Sequence, residues 1–341
     1  MLKRPTLQWR VAQNGSTVTR VWATLNGSDI PCSYDSTAFR VTSQPNTILI
    51  PGTYQIEMGV HTNDGINVKK NWTLQVSANA QQAIPVLTAE QKEVADAINR
   101  LRKGVGLQGA QMTGDLSAAA QGHADFLADN DYTGHYQKPN MRGFFGKDPM
   151  DRAQAYGHID GCWEVVFSGK AGISQAVQSL FDAPYHRLPF LQSGPLTLGT
   201  GASKNRVVAL FNQSMAQSVG MSPAPNQTGI PVSWNQNERP NPLRIHKGLQ
   251  LPVGYPIVIS DFTPDVQRIV VHSAHLLMGE SETPVPFALN EPANDDALRS
   301  AAVLLPKSPL QPNTVYRVRV EYERENGIRV LRDWKFSTGS P

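Results

Sequence analysis

Tyr54-Gln55-Ile56-Glu57-Met58-Gly59-Val60, then Asn63-Asp64-Gly65, then Ile66-Asn67-Val68 running on to Trp72-Thr73-Leu74, is the stretch that decides the fold. Apolar and polar residues alternate on both sides of the Asp-Gly pair, the pattern of two half-buried strands joined by a turn. The same text returns near the C-terminus as Tyr316-Arg317-Val318-Arg319-Val320-Glu321-Tyr322, Asn326-Gly327, Ile328-Arg329-Val330 and Trp334-Lys335-Phe336. Tyr, Gly, Ile and Trp superpose at one constant offset without a gap, so the chain contains an internal repeat. Asp-Gly and Asn-Gly supply the positive φ that a two-residue hairpin demands. Each copy also follows a Pro-bearing lead-in, Ile50-Pro51-Gly52-Thr53 and Gln311-Pro312-Asn313-Thr314. These are the closing hairpins of β-sandwiches, and enough strand-like sequence precedes each to build two sheets. The expectation is an immunoglobulin-like sandwich over 1–79 and another over 250–341.

Inward of the repeats the periodicity changes. After Thr88, the residues Val94, Ile98 and Leu101 recur at helical spacing behind a Thr88-x-x-Gln91 capping box. A second helix is expected from about Asp115, with Leu116, Ala119, Ala120, His123 and Leu127 on one stripe, and a third over 174–181. Residues 197–200 and 207–211 read as short strands. Helices followed by a few strands predict a central α+β domain over 86–216. The polar stretch 77–85 and the Pro- and Asn-rich stretch 217–249 read as linkers.

Composition narrows the class. A chain of 341 residues is too long for one small core. The net charge is only +3 and Lys and Arg are scattered, which argues against a nucleic-acid-binding face. No apolar run approaches the roughly 18 residues of a membrane span. Met1-Leu2-Lys3-Arg4-Pro5 has a basic start without an apolar run behind it. The expectation is either a cytosolic protein or an exported one whose signal peptide is not part of this sequence. The two cysteines, Cys32 and Cys162, exclude a disulfide framework and a CxxC metal site. They read as small buried hydrophobes, with a bridge open only if their segments touch.

Three clusters carry the chemistry: Gly134-His135, Glu164, and His186-Arg187. Two imidazoles and a carboxylate are good zinc ligands, and three protein ligands leave one position for water. Zinc lowers that water's pKa to about 7. Hydrolysis would also need a general base within reach of the water. No GxSxG elbow, Walker loop or HExxH helix is present, so the common hydrolase and nucleotide readings have no support.

These residues also carry a resemblance. Asn99-x-x-Arg102, Leu116-x-x-Ala119-Ala120-x-x-His123-Ala124 and Gly134-His135 resemble the opening of the CAP superfamily (cysteine-rich secretory proteins, antigen 5, pathogenesis-related proteins). The match continues through Pro149-x-x-Arg152-x-x-x-x-Gly157, Glu164, Ala176-Val177, Pro184-x-His186-Arg187 and Gly199-x-Gly201. It covers about 88–212, and its order is similar to the bacterial, SCP-like extracellular branch. Glu238-x-Pro240-x-Pro242 is similar to the tail that follows some of those domains.

The resemblance implies an α–β–α sandwich with a surface cleft holding two His and two Glu. It places His135, Glu164 and His186 at the first His, first Glu and second His. The second Glu has no counterpart, because Ala183 stands about where it belongs, and Val165 replaces the Asn that usually follows the first Glu. The implied cleft is a reduced one.

The expected function follows. His135, Glu164, His186 and Arg187 line a ligand cleft, with zinc or another divalent cation on His135, His186 and Glu164 as the metal reading. The favoured function is a secreted, periplasmic or cell-surface protein that binds an extracellular ligand, cell-wall glycan or protein, rather than an enzyme. A metal-dependent hydrolase using His135, Glu164 and His186 is the alternative, and lipid or sterol binding, implied by the resemblance, is the second.

Overall fold

The computed structural model describes residues 2–11, 15–78, 80–212, 218–263 and 266–340. The chain divides into two compact units of three segments each. Met1–Ala95, Gln111–Ile173 and Thr197–Gln213 make the first; Asp96–Ala110, Ser174–Leu196 and Ser214–Pro341 make the second.

The first unit begins with β1 (Leu7–Arg10), β2 (Val18–Leu25), β3 (Ser28–Asp29), β4 (Cys32–Asp35), β5 (Arg40–Ser43), β6 (Gly52–Thr62) and β7 (Asn67–Val76). They form two sheets, ordered β1-β5-β4 and β3-β2-β6-β7. Leu7, Trp9 and Val41 from one sheet and Ala23, Ile56, Met58, Val60 and Leu74 from the other share one core. Alternation makes this possible, because every second side chain of a strand points to the same face. The result is a two-layer sandwich.

The rest of this unit comprises the start of α1 (Ala89–Gly104), then β8 (Gln111–Met112), α2 (Gly114–Asp129), α3 (Pro149–Gln154), β9 (Cys162–Ser168), β10 (Thr197–Ser203) and β11 (Arg206–Asn212). The expected capping box closes at α1. Thr88 N–H donates to Gln91 Oε1 at 2.8 Å and Gln91 N–H to Thr88 Oγ1 at 3.2 Å. The strands form a sheet ordered β8-β10-β11-β9. On it α2 buries Leu116, Ala119, Ala120, Ala124 and Leu127 against Val208 and Leu210. Glycine permits this close approach: a Cβ on Gly201 would stand 2.4 Å from the backbone nitrogen of Gln121. The sandwich is joined to this layer through β1. Gln8 N–H donates to Gly157 O at 2.9 Å and Ile159 N–H to Gln8 O at 3.3 Å, and Ile159 enters the sandwich core.

The second unit receives most of α4 (Ile173–Asp182) and all of α5 (Pro184–Arg187). Its strands are β12 (Val219–Ser222), β13 (Ser233–Trp234), β14 (Val253–Gly254), β15 (Ile257–Asp261), β16 (Ile269–Met278), β17 (Thr283–Pro284), β18 (Phe287–Asn290), β19 (Ala301–Pro306), β20 (Val315–Arg324) and β21 (Arg329–Ser337). Two four-stranded sheets, β12-β15-β19-β18 and β17-β16-β20-β21, share a core of Ile257, Ile259, Leu304, Val318, Val320, Trp334 and Phe336. A central α+β domain with a β-sandwich toward each end of the chain is the class that the sequence predicts.

The internal repeat is exact down to strand register. Ile56 pairs with Trp72 and Tyr54 with Leu74, while the equivalent Val318 pairs with Trp334 and Tyr316 with Phe336. The turns differ from expectation. Gly65 and Gly327 take φ of 81° and 79°, but neither preceding residue has positive φ, and Thr62 N–H reaches Ile66 O and Arg324 N–H reaches Ile328 O. The loop therefore has three residues ending in a left-handed glycine rather than two. A second difference concerns 217–249, expected as a linker. Val219–Ser222 pairs with β15 and so belongs to the C-terminal sandwich.

Candidate functional site

The best-defined cluster of chemistry-bearing side chains lies in the first unit, around Glu164. Its strand, β9, pairs with β11 with Glu164 opposite Leu210. The Glu164 side chain is 1% exposed. Arg152 of α3, itself fully buried, donates from Nη2 to Glu164 Oε2 at 2.7 Å. α3 is set by its own capping box, in which Asp148 and Asp151 exchange side chain-to-backbone bonds. On the other oxygen, His135 Nδ1 lies 2.9 Å from Oε1. Burial alone would raise the carboxyl's pKa. The Arg152 charge and the bond from His135 outweigh it, and the group is held below the usual carboxylate range.

His123 completes the cluster from α2, its Nε2 3.7 Å from Glu164 Oε1. It has no exposure, and burial, aided by the Arg152 charge, pushes its pKa down to about 4. The ring is therefore neutral at neutral pH. Nε2–H donates to Gly134 O at 3.0 Å, and Nδ1 accepts from the Gln137 amide at 3.2 Å. This is a buried, backbone-bonded histidine on the apolar stripe of its helix. By gripping Gly134 it also positions the next residue, His135.

Other bonds secure the same loop. Arg206 reaches Asp131 at 2.9 Å and Tyr132 O at 3.2 Å, and Thr133 Oγ1 bonds Ser168 Oγ at 3.0 Å. His135 is thus presented with its side chain 37% exposed. Donating Nδ1–H to a buried carboxylate fixes the orientation of the ring.

His186 and Arg187 lie in the second unit, in different surroundings. Glu238 Oε1 is 2.6 Å from His186 Nδ1 and accepts the backbone N–H groups of Tyr185 and His186 at 3.0 and 2.8 Å. The Glu238 side chain has no exposure. This carboxylate was missed as a site residue in the sequence. Its only signal is the Glu238-x-Pro240-x-Pro242 tail, which says nothing about reaching a histidine 52 residues earlier.

Arg187, expected to line the cleft, requires a correction. It has no exposure, and its guanidinium donates to the carbonyls of Phe181, Asp182 and Pro256 and to Ser222 Oγ. The Tyr255 ring stacks over it at 4.6 Å. A cation so enclosed is a structural tie between α4–α5 and the C-terminal sandwich. It cannot meet a ligand without unfolding that packing. Asp182 accepts from Tyr255 OH at 2.8 Å in the same tie.

Other polar residues of the two units are structural. Asn99 exchanges bonds with Ala110 in both directions, and the buried Arg102 donates to the carbonyls of Gln108, Phe190 and Gln192. His158 is 2% exposed, with Nδ1 3.5 Å from Asp115. Cys32 and Cys162 are free thiols packed against different cores, their pKa values raised by burial to about 11 and about 12.

The donors around Glu164 do not suit a divalent cation. A buried guanidinium already neutralises the carboxylate and would repel a second positive charge. Among the described residues, no group of three or more His, Cys, Asp or Glu side chains is disposed to hold a metal ion.

Comparison with known proteins now bears on these residues. Residues 95–209 match the model of the cysteine-rich secretory protein family, CAP. The chain carries a CAP domain. Its family match contains His123, His135, Arg152, Glu164 and His186. Among solved structures, the chain is similar to an outer surface protein from Borrelia burgdorferi (22% identity, 37% of this chain and 95% of that one, TM-score 0.31). It is also similar to an extracellular protein containing an SCP domain from Bacillus anthracis (14%, 62% and 67%, TM-score 0.32). A third is SGBP-B of the Bacteroides ovatus mixed-linkage glucan utilization locus, solved with a heptasaccharide (10%, 98% and 64%, TM-score 0.18). All three scores are low, so the family model alone assigns the domain. A comparison with curated proteins found no match. Among the described residues, no helix is long and apolar enough to cross a membrane.

Proposed function

We propose that this is an extracellular or cell-envelope CAP-domain protein that works by binding, with the His135 face of the first unit as its contact surface. The observation carrying the reading is the state of Glu164. One oxygen is committed to Arg152 and the other to His135, and the carboxylate itself is shut off from solvent. A carboxylate so neutralised is a poor general base or nucleophile, because taking a proton would break the buried ion pair. What it does well is hold an imidazole in one orientation. Tyr136, 61% exposed and next in the chain, adds an aromatic surface beside His135. Half-exposed polar and aromatic groups on a rigid base are the usual makings of a recognition surface.

The test is a binding screen of the full chain against cell-wall glycan, peptidoglycan and protein ligands, run beside hydrolase assays on the same preparations. The expected result is a ligand whose affinity falls about tenfold in His135→Ala, equivalent to about 1.4 kcal/mol, with no turnover. Measurable hydrolysis abolished by His135→Ala, or stoichiometric zinc in protein purified without chelator, would replace this reading with the metal-dependent hydrolase.

A further inference from the structure

The first unit also contains a cleft of about 610 Å³ between the open end of the β6–β7 hairpin and the 144–147 loop with α3. That volume lies within the roughly 300–1,000 Å³ of small-ligand sites. We propose that this cleft binds a neutral oligosaccharide. The proposal rests on the binding reading only in that recognition, not turnover, is the output; its residues are separate from His135 and Glu164.

Three observations carry it. The first is the chemistry of the walls. Thr53 and Gln75 are cross-strand partners, and Thr73 follows on the same face, so the hairpin presents exposed hydroxyl and amide groups in a row. The apolar residues of the same strands, Leu74 and Val76, point into the sandwich core. Across the cleft Phe144 is 36% exposed and contributes an aromatic surface to the lining. A pyranose has the matching duality. Its axial C–H face carries the partial positive charge that an aromatic face attracts, and its equatorial hydroxyls need donors and acceptors at the rim.

The second is charge. Among the described residues, Lys147 and Asp151 are the charged side chains of the lining. They oppose each other in sign, and Asp151 accepts the backbone N–H groups of Lys147 and Asp148 at 3.1 and 3.4 Å. A lining with no net charge suits a neutral ligand.

The third is rigidity. Gln137 N–H donates to Lys147 O at 2.8 Å, and Phe145 N–H donates to Gln137 Oε1 at 3.0 Å. The Phe145 ring packs edge-on against Tyr156, with centroids 6.1 Å apart. A Cβ on Gly122 would come within 2.8 Å of that ring, so helix α2 abuts it directly. Phe144 therefore projects from a loop held on both sides, and a preorganised wall loses little entropy on binding.

The experiment is calorimetric titration of the full chain with cellohexaose, chitohexaose, mannohexaose and an unrelated extended hexapeptide. At least one saccharide is expected to bind. Phe144→Ala and Gln75→Ala should each weaken it about tenfold or more, and Phe144→Tyr should retain it. No binding by any of the three saccharides overturns the proposal. So does saccharide binding that Phe144→Ala and Gln75→Ala leave intact, or binding of the hexapeptide alone. Saccharide binding lost in His135→Ala but not in Phe144→Ala would move the ligand to the His135 face, overturning the cleft while sustaining the proposed function. Circular dichroism of each variant checks that the fold is intact, and Gln75→Ala on the hairpin wall keeps the test decisive if Phe144→Ala is poorly folded.

Discussion

Replacing Arg152 by Met should cost the protein about 3–5 kcal/mol, the usual penalty for removing one partner of a buried ion pair. The size follows from the site. Arg152 and Glu164 are 0% and 1% exposed and 2.7 Å apart, so water cannot take over when the guanidinium leaves. The carboxylate would keep only the bond from His135 and the proximity of a neutral His123. Burial would then dominate, and Glu164 would bind a proton more readily than an exposed carboxyl.

The sign of the pH dependence follows. In the wild type the folded pKa of Glu164 lies below its ordinary value of 4.5. Its contribution to stability is thus full above about 4.5 and is lost as pH falls through the lower folded value. In Arg152→Met the deficit should be largest near pH 7 and shrink toward pH 4, as protonation relieves the unpaired charge. Urea unfolding followed by tryptophan fluorescence at the two pH values reads both effects. Arg152→Met/Glu164→Leu, which removes the charges together, should recover at least half of the loss. A single-variant cost below about 1 kcal/mol, or a double variant that costs the sum of the singles, would refute a buried, coupled pair.

Three other outcomes follow from the same structure. Burial holds His123 neutral in the fold, with its pKa lowered from 6.5 to about 4. Stability should therefore fall as pH drops from 6.5 to 4, by up to about 1.4 kcal/mol per unit, and His123→Gln should flatten that part of a pH–stability curve. Arg187→Met should destabilise by about 3 kcal/mol, through the backbone carbonyls it leaves unpaired, without altering ligand affinity at the His135 face. Lost affinity with unchanged unfolding would restore Arg187 to a cleft. Gly201→Ala should cost about 1–3 kcal/mol in thermal unfolding, since its Cβ would overlap the backbone of α2; a neutral effect would contradict the α2–β10 spacing.

Local patterns were the legible part. Alternation and the repeated Tyr, Gly and Trp positions announced both closing hairpins, and they pair in identical register because register follows from which face is buried. The Thr88–Gln91 box and the stripe on α2 were equally visible, because capping and 3.6-residue periodicity are short-range. The turns are one residue longer than the dipeptides suggest, since Asp-Gly and Asn-Gly serve two-residue and three-residue hairpins alike. The strand Val219–Ser222 was hidden in a Pro- and Asn-rich stretch, where four residues are too few to establish a period.

The site divides along the same line. Sequence by itself marked His135, Glu164, Arg152, His186 and Arg187 as the residues worth watching, because a motif records residue types in order. It could not assign their partners. Whether Glu164 pairs with Arg152 or Arg187 depends on which cation the fold buries beside it, and the answer is Arg152. Glu238 reaches His186 from a distant segment, Arg187 turns into the C-terminal sandwich, and Gln137 links His123 to the cleft wall. Those choices are made by desolvation and by contacts between segments far apart in sequence. Both act only once the chain has folded, so only the tertiary structure decides them.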